Sequence, residues 1–193
     1  MARPKEFSVE EALENAMQLF WTGGFHATST REIEKQLHLG RQSIYNAFGD
    51  KEALYHASLD RYVATVLQDR LEVLRVADPG RREVVRFLAG IVEFLDGDQD
   101  RRGCYLYNAI AENAGRDPFI LESAVSYTRS AGGLLQNAIQ RGIHAGEISK
   151  GTNVMAVSRM LLATESGMSL MARSRVDRKD LVDIASAALQ PLY

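Results

Sequence analysis

The 193-residue chain is 46% hydrophobic with a net charge of −2, which is enough apolar material for one or two units with a buried core. No apolar run approaches the roughly 20 residues that a membrane span needs, and the N-terminus lacks the apolar stretch of a signal peptide. The single cysteine excludes a framework of internal disulfides. These features predict a soluble, cytoplasmic protein without a membrane partner.

The bulk charge gives no support to a nucleic-acid hypothesis. Residues 1–53 carry six basic and eight acidic side chains, and the rest of the chain carries 17 of each. A duplex-binding protein usually shows a basic patch. From Arg31 to Lys51, however, four basic residues stand against three acidic ones. Any contact with DNA therefore has to depend on local placement.

Apolar residues recur at helical spacing along nearly the whole chain, and strand signals are almost absent, which predicts an all-α fold. Ser8 followed by Glu11 is a capping box for the first helix, and Gly23-Gly24 ends it. The predicted apolar face of this helix is Val9, Ala12, Leu13, Ala16, Leu19 and Phe20.

Two short helices joined by a tight turn come next. Residues 28–30 offer a start for the second helix, and the turn at 38–40 leads into the third. Ile44 and Phe48, spaced i and i+4, anchor the third helix, and Asp50 caps the fourth. Six further helices are predicted, which makes nine in all. They are 51–77, 82–95, 104–114, 118–145, 153–174 and 178–190.

Small residues in the two long C-terminal helices leave two interpretations open. Gly132-Gly133 inside a helix costs about 1 kcal/mol per glycine relative to alanine, so either the helix breaks there or another backbone approaches closely. The next helix has Ala163 and Gly167 one turn apart. These smooth faces fit a four-helix homodimer interface through 118–145 and 153–174, or packing within one chain.

The first three helices form a candidate helix-turn-helix unit. Its third helix is too short to be stable alone and turns most of its side chains outward. Arginine and glutamine can make bidentate contacts with guanine and adenine, and tyrosine and asparagine suit phosphate oxygens. The outward-facing residues are Arg41, Gln42, Ser43, Tyr45 and Asn46.

The stretch "AMQLFWTGGFHATSTREIEKQLHLGRQSIYNAFGDKEALY" resembles the N-terminal DNA-binding domain of the TetR family of bacterial transcriptional repressors. The resemblance implies a helix-turn-helix domain at 6–66 and a helical effector-binding and dimerisation domain at 67–193. Two positions depart from the family pattern: His38 replaces a frequent glycine, and Gly40 replaces a serine or threonine cap. The DNA contacts implied are Thr28, Thr30, Arg31, Arg41, Gln42, Ser43, Tyr45, Asn46 and Lys51.

The C-terminal part resembles the family only loosely, through "RGCYLYNAIAENAGRDPFI". This resemblance implies a homodimeric repressor that a small-molecule effector releases from a palindromic DNA operator. The effector would favour a dimer whose two recognition helices no longer match major grooves about 34 Å apart. The pocket candidates are Tyr62, Phe87, Phe94, Cys104, Tyr105, Asn108, Glu112 and Tyr127.

Specific residues were the basis for considering three other functions: thiol sensing, metal binding and catalysis. Cys104, beside two arginines near a helix start, could sense oxidants or electrophiles as a thiolate, or be a small packed residue. The loop "DGDQDRRG" lacks the glycine and glutamate of a calcium site, and the histidines show no metal-ligand spacing. No cofactor motif or catalytic constellation is visible, so an enzyme is not predicted. A helical interaction module that does not bind DNA is the remaining alternative.

Overall fold

The computed structural model describes residues 8–113 and 115–193, and every regular element in these ranges is helical. Nine helices result when the consecutive segments of the fourth are counted together. No helix in the described ranges is long and apolar enough to cross a membrane. The helices are α1 (Val9–Gly23), α2 (Thr30–Leu37), α3 (Arg41–Phe48), α4 (residues 51–74), α5 (Arg81–Gly97), α6 (Tyr105–Asn113), α7 (Pro118–His144), α8 (Val154–Arg173) and α9 (Arg178–Leu189).

The helix-turn-helix unit is built from local capping signals that the sequence predicts. Ser8 caps α1, and Ser29 forms a complete capping box with Glu32 at the start of α2. His38 ends α2 in the left-handed conformation, with φ of 54°, a conformation that glycine adopts at no cost and histidine at some cost. Gly40 precedes α3 without a side-chain hydrogen bond. Backbone geometry and burial therefore set the start of α3.

Helix α4 runs from the helix-turn-helix unit into the C-terminal helices without a break. It consists of Lys51–Tyr62, a π-helical segment Val63–Leu67, Gln68–Leu71 and a 3₁₀ turn Glu72–Leu74. The predicted end at residue 77 is wrong, because the last turn tightens at Leu74 and Val76 is 47% exposed. The predicted domain boundary, between 66 and 67, falls inside the π-helical segment, and residues 6 and 7 lie outside the described ranges.

Aromatic side chains from α1, α4 and α6 form one continuous buried cluster. Tyr55 contacts Phe20 edge-on at 5.1 Å and Tyr105 at 5.7 Å, measured between ring centroids. Tyr62 lies between Trp21 and Tyr105, at 5.0 and 5.6 Å. Because edge-to-face pairs add to the energy of burial, this cluster fixes the N-terminal unit against the rest of the protein.

Helices α7 and α8 pack against each other, and α7 passes through Gly132-Gly133 unbroken. Gly132 is buried, with room for contact with Leu162 of α8. Gly133 and Gly167 are exposed, and a Cβ at either position would meet no atom within 4 Å. Packing within one chain therefore does not explain why these two positions are small.

Smaller differences concern burial and helix ends. Val9, predicted on the buried face of α1, is 49% exposed because it occupies the first helical position. The other boundaries shift by one or two residues, as helix ends commonly do. The helix predicted at 104–114 is described as far as Asn113, and Ala114 lies outside the described residues.

Candidate nucleic-acid interface and effector cavity

The solvent face of α3 carries the polar residues that the sequence singled out. Arg41, Gln42 and Asn46 are exposed, and Ser43 and Tyr45 are half-buried. The Arg41 Nε donates to the Tyr45 hydroxyl at 3.2 Å, and Gln42 Nε2 donates to Asn46 Oδ1 at 2.9 Å. These i, i+4 pairs hold the side chains in order along one face.

The residues around α2 divide into accessible and inaccessible groups. Arg31 is exposed and Thr30 is half-buried at the first position of α2. Thr28 is only 3% exposed, and its hydroxyl donates to the carbonyl of Gly24 at 2.6 Å. The Thr28 hydroxyl hydrogen is thus used within the loop between α1 and α2, which does not favour a bond from this hydroxyl to phosphate, and the predicted contact stays a prediction.

Lys51 opens α4 beside this loop. Its Nζ lies 4.3 Å from the centre of the Phe25 ring, a distance at which a cation and an aromatic face attract. Hydrogen bonds from the Ser29 backbone and side chain lower the pKa of the nearby Glu32 carboxyl, and the charge of Lys51 adds to this effect. Lys51 is thus held near the start of α2.

Glu112 of α6 links the helix-turn-helix unit to the C-terminal helices. The backbone N–H groups of Phe25 and His26 donate to its two carboxylate oxygens at 2.9 and 2.7 Å. The turn approaches so closely that a Cβ on Gly24 would lie 2.8 Å from the same carboxylate. Glu112, predicted to bind an effector, instead accepts the two orphan donors of the α1–α2 turn.

A second contact joins the same two regions. His56 Nε2 lies 2.7 Å from Asp117 Oδ2, and Asp117 also caps α7. The histidine spacing predicts no metal site, but folding brings Glu52, His56 and Asp117 together, with one possible ligand atom from each within 4.8 Å of the others. The sequence signal that was overlooked is Glu52 and His56 at i and i+4 on one helix.

The predicted effector residues do not all line one space: Tyr105, Asn108 and Glu112 share a cavity of about 260 Å³, and the others lie elsewhere. Tyr62, Phe87, Tyr105 and Tyr127 are buried core side chains. Asn108 donates to the carbonyl of Arg102 at 2.8 Å, so it stabilises the turn before α6. Phe87 and Phe94 also line a cavity of about 430 Å³ between α4 and α5.

An ion pair buried in the C-terminal core was not predicted. Arg70 Nη1 of α4 lies 3.2 Å from Glu165 Oε1 of α8, and their side chains are 6% and 0% exposed. The Tyr127 hydroxyl donates to the same carboxylate at 2.7 Å. Burial raises the pKa of Glu165, while Arg70 and Tyr127 act to lower it. The sequence signal for this pair is that Arg70 and Glu165 each stand among apolar residues on the buried face of a helix.

Several polar atoms around this ion pair lack hydrogen-bond partners. They are Arg70 Nη2, Glu165 Oε2 and the Tyr62 hydroxyl, all buried. Such atoms are uncommon in native structures and call for an explanation. Arg70 also lines the cavity of about 430 Å³ and lies over the Phe94 ring at 4.3 Å. Cavity volume, apolar walls and converging polar groups are the usual features of a small-molecule site.

Cys104 does not have the environment of a reactive thiolate. It is fully buried at the start of α6, and burial raises the pKa of its thiol even though Arg70 opposes that rise. The expected activation by Arg101 and Arg102 is absent because both arginines bond elsewhere, Arg102 to Asp98 and Arg101 to the carbonyl of Val176. The packed-residue interpretation of Cys104 fits this geometry.

Two family models match the chain. The model of bacterial regulatory proteins of the tetR family matches residues 12–58, and that of the tetracyclin repressor-like C-terminal domain matches residues 80–188. The first match contains α2, α3 and the start of α4. The second covers more than half of the chain.

Similar proteins cover the chain over nearly its whole length. The uncharacterized HTH-type transcriptional regulator YezE of Bacillus subtilis is 25% identical, covering all of both chains. The HTH-type transcriptional repressor ComR of Escherichia coli is 26% identical over 97% of this chain and 90% of its own. A solved structure of a cysteine mutant of the TetR family regulator CifR, complexed with 26-bp double-strand operator DNA, is 25% identical with a TM-score of 0.85, covering all of both chains.

The Glu112 contact yields a test of the joint between the two regions. Glu112→Ala should cost about 2 kcal/mol of unfolding free energy, because two charge-assisted hydrogen bonds are lost and water replaces them only in part. Amide hydrogen exchange at Phe25 and His26 should accelerate. Glu122→Ala, an exposed acid on α7, is the matched control. Unchanged exchange at both amides would show that Glu112 does not hold the turn.

Proposed function

Because the chain belongs to the TetR family of bacterial regulatory proteins, and is thus a DNA-binding transcriptional regulator, we propose that it works as a homodimeric repressor that a small-molecule effector releases from a palindromic operator. The observation that carries this proposal is the row of hydrogen-bonding side chains on the solvent face of α3, which the buried Ile44 and the bond from the Gly49 N–H to the Tyr45 carbonyl hold in place. The name of the relative ComR and the operator complex of CifR support repression at an operator.

Within this proposal, α3 contacts base edges in the major groove. Arg41, Gln42 and Ser43 lie in its first turn, where recognition helices of this type meet bases. Tyr45 and Asn46 contact the sugar-phosphate backbone of the DNA. The side-chain hydrogen bonds from Arg41 to Tyr45 and from Gln42 to Asn46 break when these residues bind DNA. Lys51, with Thr30 and Arg31, neutralises phosphates. The interaction takes place in the cytoplasm, on the bacterial nucleoid.

Exposed apolar residues on α7 and α8 support the homodimer. Val125 and Leu170 are 55% and 67% exposed, and the small exposed residues Gly133, Ala163 and Gly167 share these helices. Two copies related by a twofold axis would bury this surface as a four-helix arrangement. A dimer also places two copies of α3 for the two halves of a palindrome.

The ion pair of Arg70 and Glu165 is the proposed effector contact. A ligand in the neighbouring cavity would have apolar walls from Phe87 and Phe94 and could satisfy Arg70. Arg70 lies on α4, the helix that also carries Lys51. An effector that favours a different position of α4 would shift the population towards dimers that do not fit the operator. Neither the thiol-sensing alternative through Cys104 nor a helical module that ignores DNA has comparable support.

The DNA contacts can be separated by their specificity. Arg41→Ala should weaken binding to the operator by about 1–3 kcal/mol and leave binding to random DNA almost unchanged, because base contacts carry specificity. Lys51→Ala should weaken both and reduce the slope of log affinity against log salt by about 1. Fluorescence anisotropy with operator and scrambled duplexes measures both quantities. An equal loss for the two variants on both duplexes would contradict the assignment.

The dimer interface can be tested with one charge. Val125→Glu should raise the dimer dissociation constant roughly tenfold or more, because each dimer would bury two unpaired carboxylates. Size-exclusion chromatography with light scattering across a dilution series gives the mass. Val76→Glu makes the same change at an exposed valine between α4 and α5. If both variants dimerise equally well, the interface lies elsewhere.

The effector contact can be tested through the buried pair. Arg70→Met should cost about 3–5 kcal/mol of unfolding free energy, because Glu165 is left without its counterion, and adding Glu165→Met should restore most of that loss. A screen of small organic compounds by thermal shift then uses the double variant. Compounds that raise the Tm of the wild type and release it from the operator should neither raise the Tm of the double variant nor release that variant from the operator. Equal release from both proteins would exclude this site.

A further inference from the structure

The contact between α4 and the start of α7 brings together side chains of the kind that bind metal ions. Glu52 and His56 lie one turn apart on the same face of α4. Asp117, the residue before α7, supplies a carboxylate oxygen 2.7 Å from His56 Nε2. The possible ligand atoms of the three residues all lie within 4.8 Å of one another.

This spacing is close to that of an occupied site. An ion about 2.0–2.2 Å from each ligand holds ligand atoms no more than about 4.4 Å apart. Glu52 is exposed and its side chain is free to rotate towards His56. Glu52 has to rotate towards His56. His56 Nε2 and Asp117 Oδ2, which are 2.7 Å apart, have to exchange their hydrogen bond for the ion and separate to about 3.4 Å, the ligand spacing of a tetrahedral site.

Two of the ligands are held in position by neighbouring groups. The His56 ring stacks on Phe119 at 4.2 Å, with an angle of 17° between the rings. Asp117 Oδ1 accepts a hydrogen bond from the backbone N–H of Phe119 at 2.9 Å, which leaves Oδ2 directed at His56. Such supporting contacts orient ligands and strengthen metal binding.

A cavity beside the three residues gives an ion access to them, and one polar atom in its lining has no hydrogen-bond partner. Glu52 and Asp117 line a cavity of about 540 Å³ that also contains the side chains of His26 and Glu112. Tyr55 lines the same cavity, is 1% exposed, and its hydroxyl has no hydrogen-bond partner. Water or a further side chain can enter this space and complete the coordination of an ion.

We propose that Glu52, His56 and Asp117 bind a divalent first-row transition metal ion across the joint between the DNA-binding unit and the C-terminal helices. One imidazole and two carboxylates favour zinc, cobalt, nickel or manganese over calcium and magnesium, which prefer oxygen ligands alone. The ion connects α4 to α7 beside Glu112, which lines the same cavity as Glu52 and Asp117. This inference is independent of the effector cavity beside Arg70.

The test uses the full-length protein after removal of metals with a chelator. Isothermal titration with Zn²⁺ should show one ion bound per chain, and Co²⁺ should develop visible absorption bands as it enters the site. Zn²⁺ should also raise the Tm, because it binds the folded state. Glu52→Gln and His56→Gln should each weaken Zn²⁺ binding at least about tenfold.

A matched histidine controls for adventitious binding. His144, exposed near the end of α7, is changed in His144→Gln and should leave Zn²⁺ binding and the Co²⁺ spectrum unchanged. Asp117→Asn retains an oxygen that can cap α7, so its loss of Zn²⁺ affinity separates coordination from folding. Equal Zn²⁺ affinity in the wild type, Glu52→Gln and His56→Gln would overturn the proposal, as would binding that His144→Gln abolishes.

Discussion

Helix α4 is buried against two sets of helices at once, and the rest of the structure depends on this double burial. Its first half places Leu54, Tyr55 and Leu59 against α1, and its second half places Leu67 and Leu71 among the C-terminal helices. A helix shared in this way cannot rotate at one end without disturbing packing at the other, because protein interiors are close-packed. The helix-turn-helix unit and the C-terminal helices are therefore mechanically connected through one element.

The π-helical segment Val63–Leu67 lies between these two halves, just before Arg70. Such segments leave the regular hydrogen-bond ladder and are frequent at functional sites. Arg70 pairs with Glu165 and lies over the Phe94 ring, but its Nη2 has no hydrogen-bond partner. A ligand that completes the bonds of Arg70 would act at the place where α4 can change its path at the least cost.

The sequence predicted what local chemistry decides. Ser29, His38 and Asp50 set helix ends through contacts within a few residues, so caps, turns and the nine helices could be identified. The Glu112 contact and the buried ion pair depend on partners far apart in the chain. Glu112 meets Phe25 across 87 positions and Arg70 meets Glu165 across 95. Burial of Cys104 and Thr28 likewise depends on which helices cover them, and periodicity alone does not show that.

The structure explains how a unit with more acidic than basic residues in its first 53 positions can bind DNA. Glu14 pairs with Arg61 at 2.8 Å, and Glu32 keeps its charge but lies in the first turn of α2, where the Ser29 N–H and the helix N-terminus offset part of it. Arg31 and Arg41 are exposed, on α2 and α3. Because screening limits the reach of exposed charges to about 8–10 Å, the few cations nearest the groove outweigh acids that are further away or paired. Placement within the fold, rather than net charge, is what makes this unit suited to DNA.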